Sequence, residues 1–142
     1  MGIFSSLNPL ALYETQSEDL DFIKTAHAYK FKNKKGTVVS KLNFYDYKIK
    51  DFDWVLIANV ETKQSHRGKG LASKLINELY ADISKNNKGV YLFVKHDNTI
   101  AISLYKKLKF DTIKKYTLKD GEYIIMGKGS ADKKQFNGRN FS

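Results

Sequence analysis

Arg67, Gly68, Lys69 and Gly70 are the residues of this chain whose types and spacing best suit chemistry. Neither glycine carries a Cβ, so an anion can approach the main chain closely there. Arg67 and Lys69 add two positive charges at the same place. Leu71, Ala72 and Ser73 then begin a long segment with Leu71, Leu75 and Leu79 at i, i+4 spacing and Ala72, Ile76 and Ile83 on adjoining positions. That is the pattern of an amphipathic helix, whose first turn offers unpaired N–H groups and the positive end of the dipole. Together these residues suit a cradle for a phosphate or diphosphate. On local pattern alone they would equally serve an ordinary strand-to-helix connection. Two familiar phosphate loops are excluded. Gly70 is followed by Leu71-Ala72-Ser73-Lys74 rather than by Lys and a hydroxyl residue, and Ser73 stands where G-x-G-x-x-G needs its third glycine. What remains is Arg67-x-x-Gly70-x-Ala72.

A second group lies downstream. Ala101, Leu104, Tyr105 and Leu108 fall on one face of a helix that Asn98 would begin. Tyr105 brings a phenol with an ordinary pKa near 10 to that face. A tyrosine on an apolar helix face more often packs in the core or at its rim. Glu61 follows the apolar run; strand parity could point its side chain to either face, and on its own it reads as a solvated or ion-paired carboxylate. His27 and His96 stand alone without ligand spacing, His66 sits in the loop, and no metal site is expected.

The elements that would position these groups read as follows. Ala11 to Gln16 suits a first strand, and Ser17 with its acidic followers could start a short helix. Asp21 to Lys32 reads as one strand, Asn33 to Gly36 as a turn, and Thr37 to Ile49 as a strand rich in β-formers. Lys50 to Asp53 returns the chain to Trp54, where the apolar run to Val60 reads as a buried central strand. A helix over about Leu71 to Ser84 would end at Gly89 in a left-handed conformation. Val90 to Lys95, almost wholly apolar, fits a strand covered on both faces, parallel to the central one across a right-handed crossover. Phe110 to Leu118 and Glu122 to Lys128 flank Lys119-Asp120-Gly121, a hairpin turn. The expected fold class is α/β with a mixed sheet: an antiparallel N-terminal meander, a central parallel pair around a helix, and a C-terminal hairpin. Residues 1–129 would form one domain and 130–142 a flexible tail.

Arg67-x-x-Gly70-x-Ala72 resembles the acyl-coenzyme A loop of the GNAT superfamily of N-acetyltransferases. Asn98-Thr99-Ile100-Ala101-Ile102-Ser103-Leu104-Tyr105-Lys106-Lys107-Leu108-Lys109-Phe110 is similar to a second block of that superfamily, and the resemblance runs from about Trp54 to Lys128. It implies a GNAT-like fold and transfer of an acetyl group from acetyl-coenzyme A, as cosubstrate, to a primary amine by direct attack. It implies that main-chain groups of Val60, Glu61 and Thr62 bond the pantetheine arm. The backbone from Gly68 through Lys69, Gly70, Leu71 and Ala72 to Ser73, with Arg67, would hold the diphosphate. Asn98 would bond the arm, and Tyr105 would protonate the departing thiolate, with Glu61 the candidate base. Gln64 stands where the superfamily often has Pro, and Lys109 where it has Gly. The two helices that often wall the acceptor site have little room before the meander. The acceptor groove is therefore either abbreviated or completed by another subunit, which leaves room for a homodimer.

Composition bounds the alternatives. The 142 residues are 42% hydrophobic and 13% aromatic, as in a globular domain, and contain no cysteine for disulfides or thiolate zinc sites. No apolar run approaches a membrane span and no export signal opens the chain, so a cytoplasmic location is expected. The net charge of +10 comes from 23 lysines and only two arginines, Arg67 and Arg139. That favours acidic partners by steering, while base reading, which relies on the arginine fork, is not expected. Two other readings stay open: a GNAT-fold protein that binds coenzyme A or a partner without turnover, and a basic nucleic-acid-associated protein. The acceptor is not legible.

Overall fold

The computed structural model describes residues 19–49, 52–86 and 88–129. The strand expected over Ala11 to Gln16, the start of the helix expected from Ser17, the tail from residue 130, and Lys50 and Asp51 of the expected connector lie outside them; Asp21, among the acidic residues expected in that helix, begins a strand instead. In chain order the elements are β1 (Asp21–Lys24), β2 (Ala28–Lys32), β3 (Val38–Ile49), β4 (Phe52–Thr62), a 3-10 turn (Gln64–His66), α1 (Leu71–Ser84), β5 (Gly89–Lys95), α2 (Thr99–Lys107), β6 (Asp111–Leu118) and β7 (Gly121–Lys128). The strands form one sheet in the order β1-β2-β3-β4-β5-β7-β6, antiparallel throughout except for β4 beside β5. This is the mixed sheet with meander, parallel pair and terminal hairpin that the sequence predicts.

Three local expectations are corrected. Asp21 to Lys32 is two strands, because the backbone N–H and the hydroxyl of Thr25 both donate to the Ala28 carbonyl, at 2.8 and 3.1 Å, and turn the chain. Phe52 and Asp53 already belong to β4 instead of a connector. Gly89 is not a left-handed helix stop; it is the first residue of β5. Its missing side chain serves packing, since a Cβ there would lie 2.5 Å from Cζ3 of the buried Trp54.

The apolar stripe of α1 (Leu75, Ile76, Leu79 and Ile83) covers one sheet face built from Leu42, Val55, Ile57, Val90, Leu92, Val94 and Met126. Ala101, Ile102, Tyr105 and Leu108 of α2 pack against the same cluster. The opposite face centres on Trp54, Tyr91 and Ile125. Asp82 of α1 fastens the sheet edge: it accepts from Lys24 Nζ at 2.8 Å and from the Tyr29 hydroxyl at 2.5 Å. Those bonds, the lysine's first, hold its carboxyl below the ordinary carboxylate range.

Two irregularities aim the site. The β3–β4 register runs from Asn43↔Asn59 to Phe44↔Ile57, so Ala58 is a bulge. With Ala58 skipped, Ile57 and Val60 keep one face and Asn59 and Glu61 take the other. The parallel pairing of β4 with β5 stops after Trp54↔Gly89, Val55↔Val90 and Leu56↔Tyr91. Beyond Leu56 the two strands part and leave a V.

Lys109, in the position the superfamily gives to glycine, has φ +73, the only positive φ of a non-glycine residue among those described. A side chain there costs about 1 kcal/mol relative to glycine. Lys109→Gly, partly offset by the entropy of a more flexible unfolded chain, is expected to stabilise the fold by about 0.5–1 kcal/mol and raise the melting midpoint by about 2–4 °C in a thermal scan.

Candidate active site at the strand splay

The V opens into a cleft of about 1080 Å³ whose walls come from β3, β4, the loop after it, the first turn of α1 and the first two turns of α2. Of the residues expected from sequence, Val60, Glu61, Thr62, Arg67, Gly68, Gly70, Leu71, Ala72, Ser73, Asn98 and Tyr105 all line it. Lys69 does not; its exposed side chain can act there only through its charge and its backbone.

The loop is shaped for an anion. Gly68 and Gly70 have φ +80 and +75, and a Cβ on either would meet nothing within 4 Å, so open space adjoins both. Gly70 is the N-cap of α1, makes no side-chain cap bond, and is followed by no acidic residue in the first turn. The N–H groups of Leu71, Ala72 and Ser73 therefore point out of the helix without a protein side-chain acceptor, at the positive end of its dipole. Arg67 is anchored rather than loose: its Nε donates to the Thr62 carbonyl at 3.0 Å, leaving its two terminal nitrogens for a ligand.

Strand parity sorts the edge of β4. Lys63 N–H donates to the Val39 carbonyl, and the Ser40 hydroxyl donates to the Glu61 carbonyl at 3.3 Å. Backbone groups of Glu61 and Lys63 thus turn toward β3, while those of Val60 and Thr62 turn into the V. Ser40, fully buried, also pairs its hydroxyl with Thr62 Oγ1 at 2.9 Å. The Glu61 side chain is exposed on the face away from the helices, and Asn59 Nδ2 donates to its Oε2 at 2.7 Å. Asn98 spends one atom on structure, since its Oδ1 caps α2 by accepting from Ala101 N–H at 3.1 Å. Its amide nitrogen remains to donate.

Tyr105 comes from the helix side. It is half-buried, its ring lies tilted against Phe110 at 5.7 Å, and among the described residues its hydroxyl has no hydrogen-bond partner. Burial pushes its phenol above the ordinary value. A phenol from the helix side and a carboxylate on the other face of the sheet thus both line the cleft. Among the described residues no group of three His, Asp or Glu could hold a metal, and no helix is long and apolar enough to cross a membrane.

Sequence reasoning missed Ser40 and Lys41, which reach the cleft through the β3–β4 register; His66, in the loop as expected, also lines the cleft, with Ser65 Oγ 2.8 Å from its Nδ1. It also missed Ile100, which is 84% exposed at the cleft rim. No local pattern marks any of these.

The chain is similar to several known proteins. A family model for FR47-like protein matches residues 41–118. The histone acetyltransferase MCC1 of Arabidopsis thaliana is 32% identical over 98 residues, which is 68% of this chain but only 38% of that relative's length. Among solved structures, Naa50 of Arabidopsis thaliana, in complex with the bisubstrate analogue CoA-Ac-MVNAL, superposes with a TM-score of 0.64 at 22% identity over 72% of each chain. The NatB acetyltransferase complex bound to CoA and MES gives 0.66 at 25% identity, again over 72% of each chain. The family match takes in more than half of the molecule and holds both the glycine loop and the Asn98 block, so the chain belongs to the FR47-like family within the GNAT superfamily.

Proposed function

We propose that the protein is an N-acetyltransferase that moves an acetyl group from acetyl-coenzyme A to a primary amine by direct attack. The observation that carries this reading is the splay itself: a β4 edge without a β5 partner beyond Leu56, an anion cradle at one end, and at the other a phenol with no hydrogen-bond partner among the described residues. The main-chain amides from Gly68 to Ser73, with Arg67, hold the diphosphate. Val60, and the N–H of Thr62 whose carbonyl Arg67 already holds, present backbone groups to the arm's amides as an added strand would, and Glu61 does not. An arm of roughly a dozen bonds extends about 16 Å, or about five strand residues. Counted back from Thr62, that puts the sulfur beside the bulge at Ala58, where β4 and β5 part. There the amine nitrogen bonds to the thioester carbonyl carbon, the C–S bond breaks, and the Tyr105 hydroxyl serves the leaving sulfur. Glu61 flanks the arm short of its tip, so an amine proton reaches its carboxylate through water.

The comparisons support a peptide acceptor, because the analogue bound by Naa50 joins coenzyme A to a peptide. A cytoplasmic location belongs to the same proposal, and a chain without cysteine is compatible with it. A thermal scan tests coenzyme binding. Acetyl-coenzyme A at a hundred times its dissociation constant adds about 2.7 kcal/mol, which lifts the midpoint by about 8 °C. Thiol release with a panel of amines then tests turnover. No shift and no released thiol would remove the enzyme reading, and a shift without thiol release would leave a coenzyme-binding protein.

A further inference from the structure

Both arms of the V carry lysine on the face away from the helices. On β3, Lys41 lies directly across from Glu61, and on β2, Lys30 lies directly across from Lys41, so the three form one cross-strand row. Opposite charges in that arrangement normally pair. Here Glu61 takes the Asn59 amide instead, and neither Lys30 nor Lys41 has a carboxylate within 4 Å among the described residues. Lys41 is half-buried and lines the cleft. On the other arm, Lys95 ends β5 on the same face as Tyr91 and Phe93, with its ammonium 6.0 Å from the Tyr123 ring centroid. Lys95 lies four residues beyond the last β4–β5 pair, and Glu61 with Lys41 lies five beyond it.

These lysines stand where the coenzyme has no charge to offer. Its diphosphate belongs at the Gly68–Ser73 end, and the arm passing Val60 and Thr62 is neutral. We infer that the acceptor of the proposed transferase is an acidic peptide, its side-chain carboxylates held between Lys41 and Lys95 at the mouth of the V, with Lys30 behind Lys41. Spacing sets the position of the acid. Counted from the level of Ala58, where the sulfur sits, Lys95 is two strand residues away and the Lys41–Glu61 pair three, which leaves about 7–10 Å along the strands between the attacked carbon and the lysines. An extended peptide covers that distance in two to three residues. A free amino acid, with its carboxylate two bonds from its amine, is too short. The inference rests on the transferase reading, and its test separates the two.

Peptides identical except for Glu, Ala or Lys at their second and third positions are compared by kcat/KM, using the wild type and the Lys41→Glu/Lys95→Glu double variant. Partly exposed pairs of this kind discriminate by a few-fold each, so the wild type is expected to prefer the Glu peptide over the Lys peptide about tenfold at low salt. The preference should shrink as ionic strength rises and reverse in the double variant. A ratio of two peptides on one protein is insensitive to partial misfolding. Equal turnover of all three peptides, or a wild-type preference for Lys, overturns the acidic acceptor and leaves the transferase standing. If no peptide is acetylated, the same peptides are titrated against the coenzyme A complex by NMR. Binding of the Glu peptide that the double variant loses keeps the anionic subsite while sinking the enzyme, and charge-independent binding or no binding sinks both.

Discussion

Tyr105→Phe is expected to lower kcat by about tenfold to a hundredfold while leaving the dissociation constant of acetyl-coenzyme A within about twofold. The substitution removes one oxygen and keeps the ring that packs against Phe110 and the helix-side core, so stability should scarcely move. The size of the loss follows from the phenol's environment. Burial raises its pKa above the ordinary value near 10, whereas a thiol ionises near 8.5. Full proton transfer from Tyr105 to a departing thiolate is therefore uphill. The hydroxyl does its work mainly as a hydrogen-bond donor to sulfur that is gaining charge, which places the effect at the lower end of general acid catalysis. The same direction of shift fixes a pH signature. The phenol keeps its proton throughout neutral and mildly alkaline solution, so Tyr105 contributes no fall in kcat below about pH 10. Steady-state kinetics with thiol detection, across pH 7 to 9.5, reads both quantities. An unchanged kcat in the Phe variant removes Tyr105 from the chemistry.

Much of this site was legible because its parts are local. Period and glycine placement mark α1 to the residue, Leu71 to Ser84, since the leucine stripe and the Gly68-Lys69-Gly70 loop lie in one continuous stretch. The Asn98 block likewise carries its own cap and apolar face. What escaped depends on register or on distant neighbours. The Ala58 bulge has no glycine or proline to announce it, yet it decides which face Glu61 occupies, so the sequence left that carboxylate pointing either way. The turn at Thr25 is made by a threonine bonding to Ala28, without any of the usual turn formers. Gly89 reads as a helix stop because it follows an asparagine-rich end, whereas its actual constraint is the ring of Trp54, 35 residues earlier in the chain. Ser40 and Lys41 reach the cleft only through the pairing of β3 with β4.

The loop glycine offers the other large effect, together with an internal control. Gly70→Ala is expected to weaken acetyl-coenzyme A binding about a hundredfold and to cost the free protein only about 1 kcal/mol. The stability term comes from φ alone, because a left-handed residue with a Cβ is disfavoured by about that much, and the added Cβ meets no protein atom within 4 Å. The binding term comes from what that empty space is for. A methyl group at the N-cap of α1 stands where a diphosphate must approach the N–H groups of Leu71, Ala72 and Ser73, and losing one or two charge-assisted bonds of about 1.5–3 kcal/mol each amounts to roughly a hundredfold. Gly36 separates the two terms. It has φ +87 in the turn between β2 and β3, its Cβ would also meet nothing within 4 Å, and it lies outside the cleft. Gly36→Ala should lower the melting midpoint by the same few degrees as Gly70→Ala and leave the coenzyme's dissociation constant unchanged. If calorimetry shows the two variants binding acetyl-coenzyme A alike, Gly70 is an ordinary helix start and the diphosphate lies elsewhere. If only the Gly70 variant loses affinity, the difference between the two measures the close approach of anion to backbone, free of the backbone strain they share.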